Sequence, residues 1–67
     1  MKLNDIMKVM PNEQTVIIFD DNGCEYIKME KIGEIRWDSV SPVLDAKVSM
    51  VNINDDGNAI IVEVHQS

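Results

Sequence analysis

The last third of the chain alternates apolar and polar positions in two runs separated by an acidic turn. In the second run one parity is wholly apolar, with Ile60, Val62 and Val64, as in a strand that buries one face. The cluster Asp55-Asp56-Gly57-Asn58 lies between the runs and is typical of a tight turn. The pattern predicts a β-hairpin over residues 47–65.

The first of these runs changes parity halfway. Val48 and Met50 share one face, whereas Val51 and Ile53 share the other. Either both faces are partly buried, or a β-bulge between Met50 and Val51 restores the apolar face. We favour the bulge, because a chain of 67 residues has little material with which to cover both faces of a sheet.

A second hairpin is predicted over residues 14–29. Residues 14–19 are rich in β-branched and aromatic side chains, which favour strands. Asp20-Asp21-Asn22-Gly23 follows and predicts a type I′ turn, for which Asn-Gly is the favoured central pair. Residues 24–29 then form the return strand.

A short helix is predicted over residues 3–10, before the first hairpin. Its apolar positions recur at helical spacing, at Leu3, Ile6, Met7 and Met10. Asn4 is the expected N-cap and Pro11 the expected stop. Such a short helix needs a surface to pack on, and the sheet provides it.

Residues 30–46 form an irregular connector, in which Gly33 interrupts any regular pattern. The stretch admits a continuation of the preceding strand, a short helical turn or a fifth strand. Ser41-Pro42 indicates one helical turn, with Ser41 as its cap and Pro42 at the first position. We expect a single α+β domain over residues 1–67, with the helix on an antiparallel sheet of four or five strands. The alternative is a small SH3-like β-barrel.

Acidic side chains cluster in both predicted turns. If both hairpins point the same way, Asp20, Asp21, Asp55 and Asp56 form one acidic rim. Such a rim would suit a partner with a basic surface. The alternative is that the four aspartates lie in ordinary solvated turns. EF-hand spacing is absent, and we expect neither a metal nor another cofactor.

Trp37 is the only tryptophan and has Arg36 beside it. Both residue types are enriched at interface hot spots, so the pair is a candidate contact with a partner. The competing interpretation is core or half-buried packing of the indole ring. Candidate partner-binding residues are therefore Asp20, Asp21, Asp55, Asp56, Trp37 and Arg36.

The net charge of −6, from 12 acidic and 6 basic residues, argues against direct binding of nucleic acids or anionic membranes.

Cys24 is the only cysteine, so an internal disulfide is excluded. Stability must therefore come from packing or self-association. No secretory or membrane-spanning pattern occurs, and we expect a cytoplasmic protein. Catalytic motifs are absent, and a Cys24–His65 pair would need their strands to be neighbours. We therefore expect no enzymatic activity.

The opening Lys2-Leu3-Asn4-Asp5-Ile6, residues 16–23, residues 44–48 and the closing hairpin together resemble small acidic proteins of phages and prophages of Gram-positive bacteria. The resemblance implies an accessory factor that acts by protein–protein contact in a bacterial host cell, and some such proteins block CRISPR nucleases. Residues 32–40 depart from the pattern, so a specific activity is expected there. The expected function is therefore non-enzymatic binding, with possible homo-oligomers. The alternative is an anti-CRISPR-like nucleic-acid mimic that uses the acidic rim.

Overall fold

The computed structural model of the chain describes residues 1–65. Four strands form one sheet, and short helical segments pack against it. The strands are β1 (Thr15–Asp20), β2 (Glu25–Lys31), β3 (Lys47–Ile53) and β4 (Ala59–His65). The helices are α1 (Leu3–Met7) and α2 (Trp37–Val40). The α+β class is thus confirmed.

The strand order is β2-β1-β4-β3, and the two central strands, β1 and β4, are parallel. The predicted antiparallel sheet is therefore matched only in part: both hairpins are antiparallel, but the pairing that joins them is parallel. The connector carries the chain from one edge of the sheet to the other, so each hairpin contributes one central strand. β1 contains the continuous run Val16-Ile17-Ile18 and β4 the run Ile60-Ile61-Val62, and continuous aliphatic runs suit the buried centre of a sheet.

The core lies between one face of the sheet and the helical segments. From the sheet it receives the alternate positions of the central strands, which are fully buried: Val16, Ile18, Val62 and Val64. From the helical side it receives Leu3, Met7, Ile32, Ile35, Val40 and Val43. One face of each central strand is thus covered by residues from both ends of the helical layer.

The connector is helical rather than irregular. It contains a 3-10 turn at Ile32–Glu34, the helix α2 and a second 3-10 turn at Ser41–Val43. The turn expected at Ser41-Pro42 is present, although Val40 rather than Ser41 is its N-cap. Within residues 1–65 there is no fifth strand and the sheet stays open, so the barrel alternative was wrong.

α1 is shorter than the predicted helix over residues 3–10. It ends at Met7, and the N–H of Val9 donates to the carbonyl of Ile6, three residues back. This tighter turn ends the helix before Pro11 is reached.

The N-cap of α1 is Lys2, not Asn4. The N–H of Asn4 donates to the carbonyl of Leu44, and the N–H of Leu3 donates to that of Ala46, both at 3.0 Å. The segment before β3 thus satisfies two free N–H groups at the helix N-terminus and ties α1 to the sheet.

The first hairpin turn is not the predicted type I′. That turn needs positive φ at both central residues, and only Gly23, with φ of 86°, has it. The N–H of Gly23 donates to the carbonyl of Asp20. The N–H of Asp20 donates in turn to the carbonyl of Cys24. The result is a three-residue loop closed by a left-handed glycine. Gly57, with φ of 73°, has the same role in the second turn.

A β-bulge is present in β3, between Val48 and Met50 and one step earlier than predicted. It places Val51 and Ile53 opposite Val62 and Ile60, on the face that carries the core. The helical layer does not reach them, and they stay 49% and 63% exposed.

We predict that Ile18→Ala, at a fully buried position, lowers the free energy of unfolding by about 2–5 kcal/mol. Val9→Ala, at a position that is 78% exposed, should change it by less than about 0.5 kcal/mol. Urea unfolding measures both, and equal losses would contradict the assignment of the core.

Candidate functional site

The two acidic turns lie at opposite ends of the sheet. β1 and β4 run in parallel and β3 runs against β4, so the β1–β2 turn follows the end of β1 while the β3–β4 turn precedes the start of β4. Six residues of strand place the turns about 17–20 Å apart. The single rim of Asp20, Asp21, Asp55 and Asp56 was therefore wrong, because it assumed that both hairpins point the same way.

Asp20 is a buried anchor of its turn, only 5% exposed. Its Oδ1 accepts the N–H groups of Asn22 and Cys24, and its Oδ2 accepts the hydroxyl of Tyr26, each at 2.9 Å. The carboxylate is therefore used within the chain, and Asp20 is not a solvated contact residue.

These hydrogen bonds fix the protonation of the pair. The backbone N–H of Cys24 is the largest cause that lowers the pKa of the Asp20 carboxyl. The hydrogen bond to Asp20 raises the pKa of the Tyr26 phenol to about 12. Near neutral pH Asp20 is charged and Tyr26 is neutral, which suits a structural contact rather than proton transfer.

Asp21 lies beside the end of β4. Its N–H donates to the carbonyl of Val64 at 3.1 Å, and its Oδ2 contacts Nδ1 of His65. Sequence reasoning missed this pair, because the residues come together only through the parallel pairing of β1 and β4.

Asp55 and Asp56 are both exposed in the β3–β4 turn. The turn is organised by Asn54, whose Oδ1 accepts the N–H groups of Asn58 and Ala59 at 3.0 and 3.1 Å. Asn54 thus occupies the place that Asp20 has in the first turn. Because Asn54 makes these contacts, both aspartates remain available to a partner.

Trp37 is 48% exposed at the first position of α2, and Arg36 before it is exposed. Val40, at the other end of α2, is fully buried. The helix is therefore held by its far end while the indole remains partly in solvent. α2 lies against β2, where Met29 is 53% exposed.

The expected condition for a Cys24–His65 pair is not met. The strand that follows Cys24 is β2, and β1 separates it from β4. Among residues 1–65, no group of three or more His, Cys, Asp or Glu side chains is placed to hold a metal ion. In the same range no helix has the length and apolar character needed to cross a bilayer.

Comparisons with protein-family models, curated protein sequences and solved structures find no match to this chain.

We predict that the tyrosinate absorbance of Tyr26, the only tyrosine, titrates near pH 12. In Asp20→Asn the anionic acceptor is lost, so the midpoint should fall toward the ordinary 10.0. Asp21→Asn is the control and should leave it unchanged. A wild-type midpoint near 10 would refute the Asp20–Tyr26 contact.

The same groups predict how stability depends on pH. The lowered pKa of Asp20 contributes stability above its ordinary value of 3.8, and this contribution is lost as pH falls below it. The raised pKa of Tyr26 contributes stability below pH 10 that is lost as pH rises toward about 12. In thermal melts at pH 7 the wild type should therefore have a higher melting temperature than Asp20→Asn. The difference between the two melting temperatures should narrow below pH 3.8. A difference independent of pH would count against this.

Proposed function

We propose that the protein is a non-enzymatic binding module that acts by contact with a protein partner, with Trp37 as its main anchor. The observation that carries the proposal is the 48% exposure of the only tryptophan in a chain whose buried core is almost wholly aliphatic. Trp is among the residue types most often found at hot spots, because its burial removes a large apolar area from water.

The surroundings of Trp37 support this role. Glu34, Arg36 and Asp38, which are near it in the chain, are all exposed, and polar residues close to an apolar anchor are typical of protein interfaces. The anchoring of α2 through buried Val40 limits the ordering that binding would require.

The charge of the chain favours a basic partner. A net charge of −6 speeds encounter with a positive surface. Asp55 and Asp56 are the members of the proposed acidic set that face solvent together, whereas Asp20 is committed to its own turn. We assign Asp55 and Asp56, which are distant from Trp37 in the sequence, the role of steering a basic partner toward the protein.

The biological setting is also part of the proposal. The resemblance to small phage and prophage proteins supports an accessory factor in the cytoplasm of a bacterial host. A second candidate is inhibition of a host defence nuclease by nucleic-acid mimicry, as anti-CRISPR proteins do. The exposed Asp55–Asp56 pair and the acidic balance favour it, although the acids do not form one continuous rim.

We predict that Trp37→Ala weakens binding of a partner recovered from a Gram-positive bacterial lysate, with the affinity then measured on the purified pair. The expected loss is about 30-fold or more, as for an interface hot spot. Val9→Ala, at another exposed apolar position, is the control.

A double variant, Asp55→Asn with Asp56→Asn, distinguishes binding anchored on Trp37 from nucleic-acid mimicry. For a Trp37-anchored contact this double variant should mainly slow association, with a modest dependence on salt. Loss of binding in the double variant, together with unchanged affinity in Trp37→Ala and a steep salt dependence, would overturn the proposal in favour of mimicry.

A further inference from the structure

The two edges of the sheet differ in how they are protected. β2 carries Glu25, Lys28, Glu30 and Lys31, and its pairing with β1 is interrupted by two register shifts. Charges and irregular pairing discourage an edge strand from pairing with another chain. β3 has a single register shift, between Val48 and Met50, and is regular beyond it. At the other edge, residues 48–54 of β3 and its turn carry no charge, and Val51 and Ile53 are exposed.

The free part of the β3 edge begins after Val48. Before it, Lys2 forms a bridge with Lys47, and the N–H of Val48 donates to the carbonyl of Met1 at 2.9 Å. Beyond Val48, no strand pairs with this side of β3 in the part of the chain that the structure describes.

The hydrogen-bonding groups on this edge follow from the register. The N–H of Asn54 donates to the carbonyl of Ala59 in β4, and successive residues of a strand point to opposite sides. The backbone groups of Val51 and Ile53 therefore point away from β4. The N–H of Ile53 donates to the side-chain oxygen of its neighbour Asn52, at 2.8 Å.

We propose that β3 pairs antiparallel with β3 of a second copy of the chain, about a two-fold axis at Asn52. In this register Val51 of each copy faces Ile53 of the other, which uses both outward-pointing residues. A two-fold axis at Val51 instead would bring Asn54 of the second copy against Val48, where Met1 already bonds. The Asn52 register ends before that position.

Side chains and charges are complementary in this arrangement. Paired residues share a face of a sheet, so the Val51 and Ile53 side chains of both copies form one apolar cluster on the helix-bearing face. Lys47 is the exposed first residue of β3, and Asp55 and Asp56 follow the end of the strand. Antiparallel pairing brings the acidic turn of each copy toward Lys2 and Lys47 of the other, in a closed two-fold contact. Asp55 and Asp56 have a role in both proposals, but Trp37 lies outside this surface and Val51 lies within it. Trp37→Ala and Val51→Lys therefore test the proposed function and the self-association separately.

Sedimentation equilibrium tests the surface. The apparent mass of the wild type should rise with protein concentration from 7.6 kDa toward twice that value. The apparent mass of Val51→Lys should remain at 7.6 kDa. Met29→Lys is the matched control, because Met29 is 53% exposed on the opposite edge strand and Val51 is 49% exposed. A monomeric wild type, or equal effects of the two lysine variants, would overturn the proposal.

Disulfide trapping tests the register in a Cys24→Ser background. Asn52→Cys places two cysteines across the axis with Cα atoms about 4.5 Å apart, within the span of a disulfide. Met50→Cys lies on the same face of β3, but its two copies would be about 13 Å apart. Mild oxidation should therefore give a covalent dimer with Asn52→Cys and little with Met50→Cys. Equal yields, or a higher yield with Met50→Cys, would refute the register, and circular dichroism confirms that both variants are folded.

Discussion

The parallel pairing of β1 with β4 is the contact on which the rest of the structure depends. It aligns Val16 with Ile60 and Ile18 with Val62, so that fully buried side chains of both strands meet the helical layer on one face. A chain of 67 residues buries only about 60% of its unfolded surface. The stability of such a chain is concentrated in this small aliphatic cluster.

The same pairing distributes the polar features of the surface. Because β1 and β4 are parallel, the two hairpin turns lie at opposite ends of the sheet. The same pairing places Asp21 beside His65. It also leaves β2 and β3 as edges. β2 is charged and has two register shifts in its pairing, whereas β3 is uncharged along residues 48–54 and regular after its bulge. Half-exposed Trp37, in the helix that lies against β2, and the open edge of β3 are therefore separate surfaces.

Local features of the fold could be predicted from the sequence, whereas long-range ones could not. Turn residues such as Gly23 and Gly57 marked both hairpins, because positive φ is a local demand. A parity change at Met50 indicated the bulge to within one residue. The direction of β4 relative to β1 depends on how the connector crosses the sheet, and no local pattern encodes that. The burial of Asp20 was missed for a related reason: a turn aspartate usually faces water, and only the contact with Tyr26 shows otherwise.

The parallel register is tested most directly by nuclear Overhauser contacts between the backbones of β1 and β4. Contacts should advance together along both strands, from Thr15 with Ala59 to Phe19 with Glu63. Contacts that run in opposite directions, with Thr15 near Glu63 and Phe19 near Ala59, would show an antiparallel centre and contradict the account.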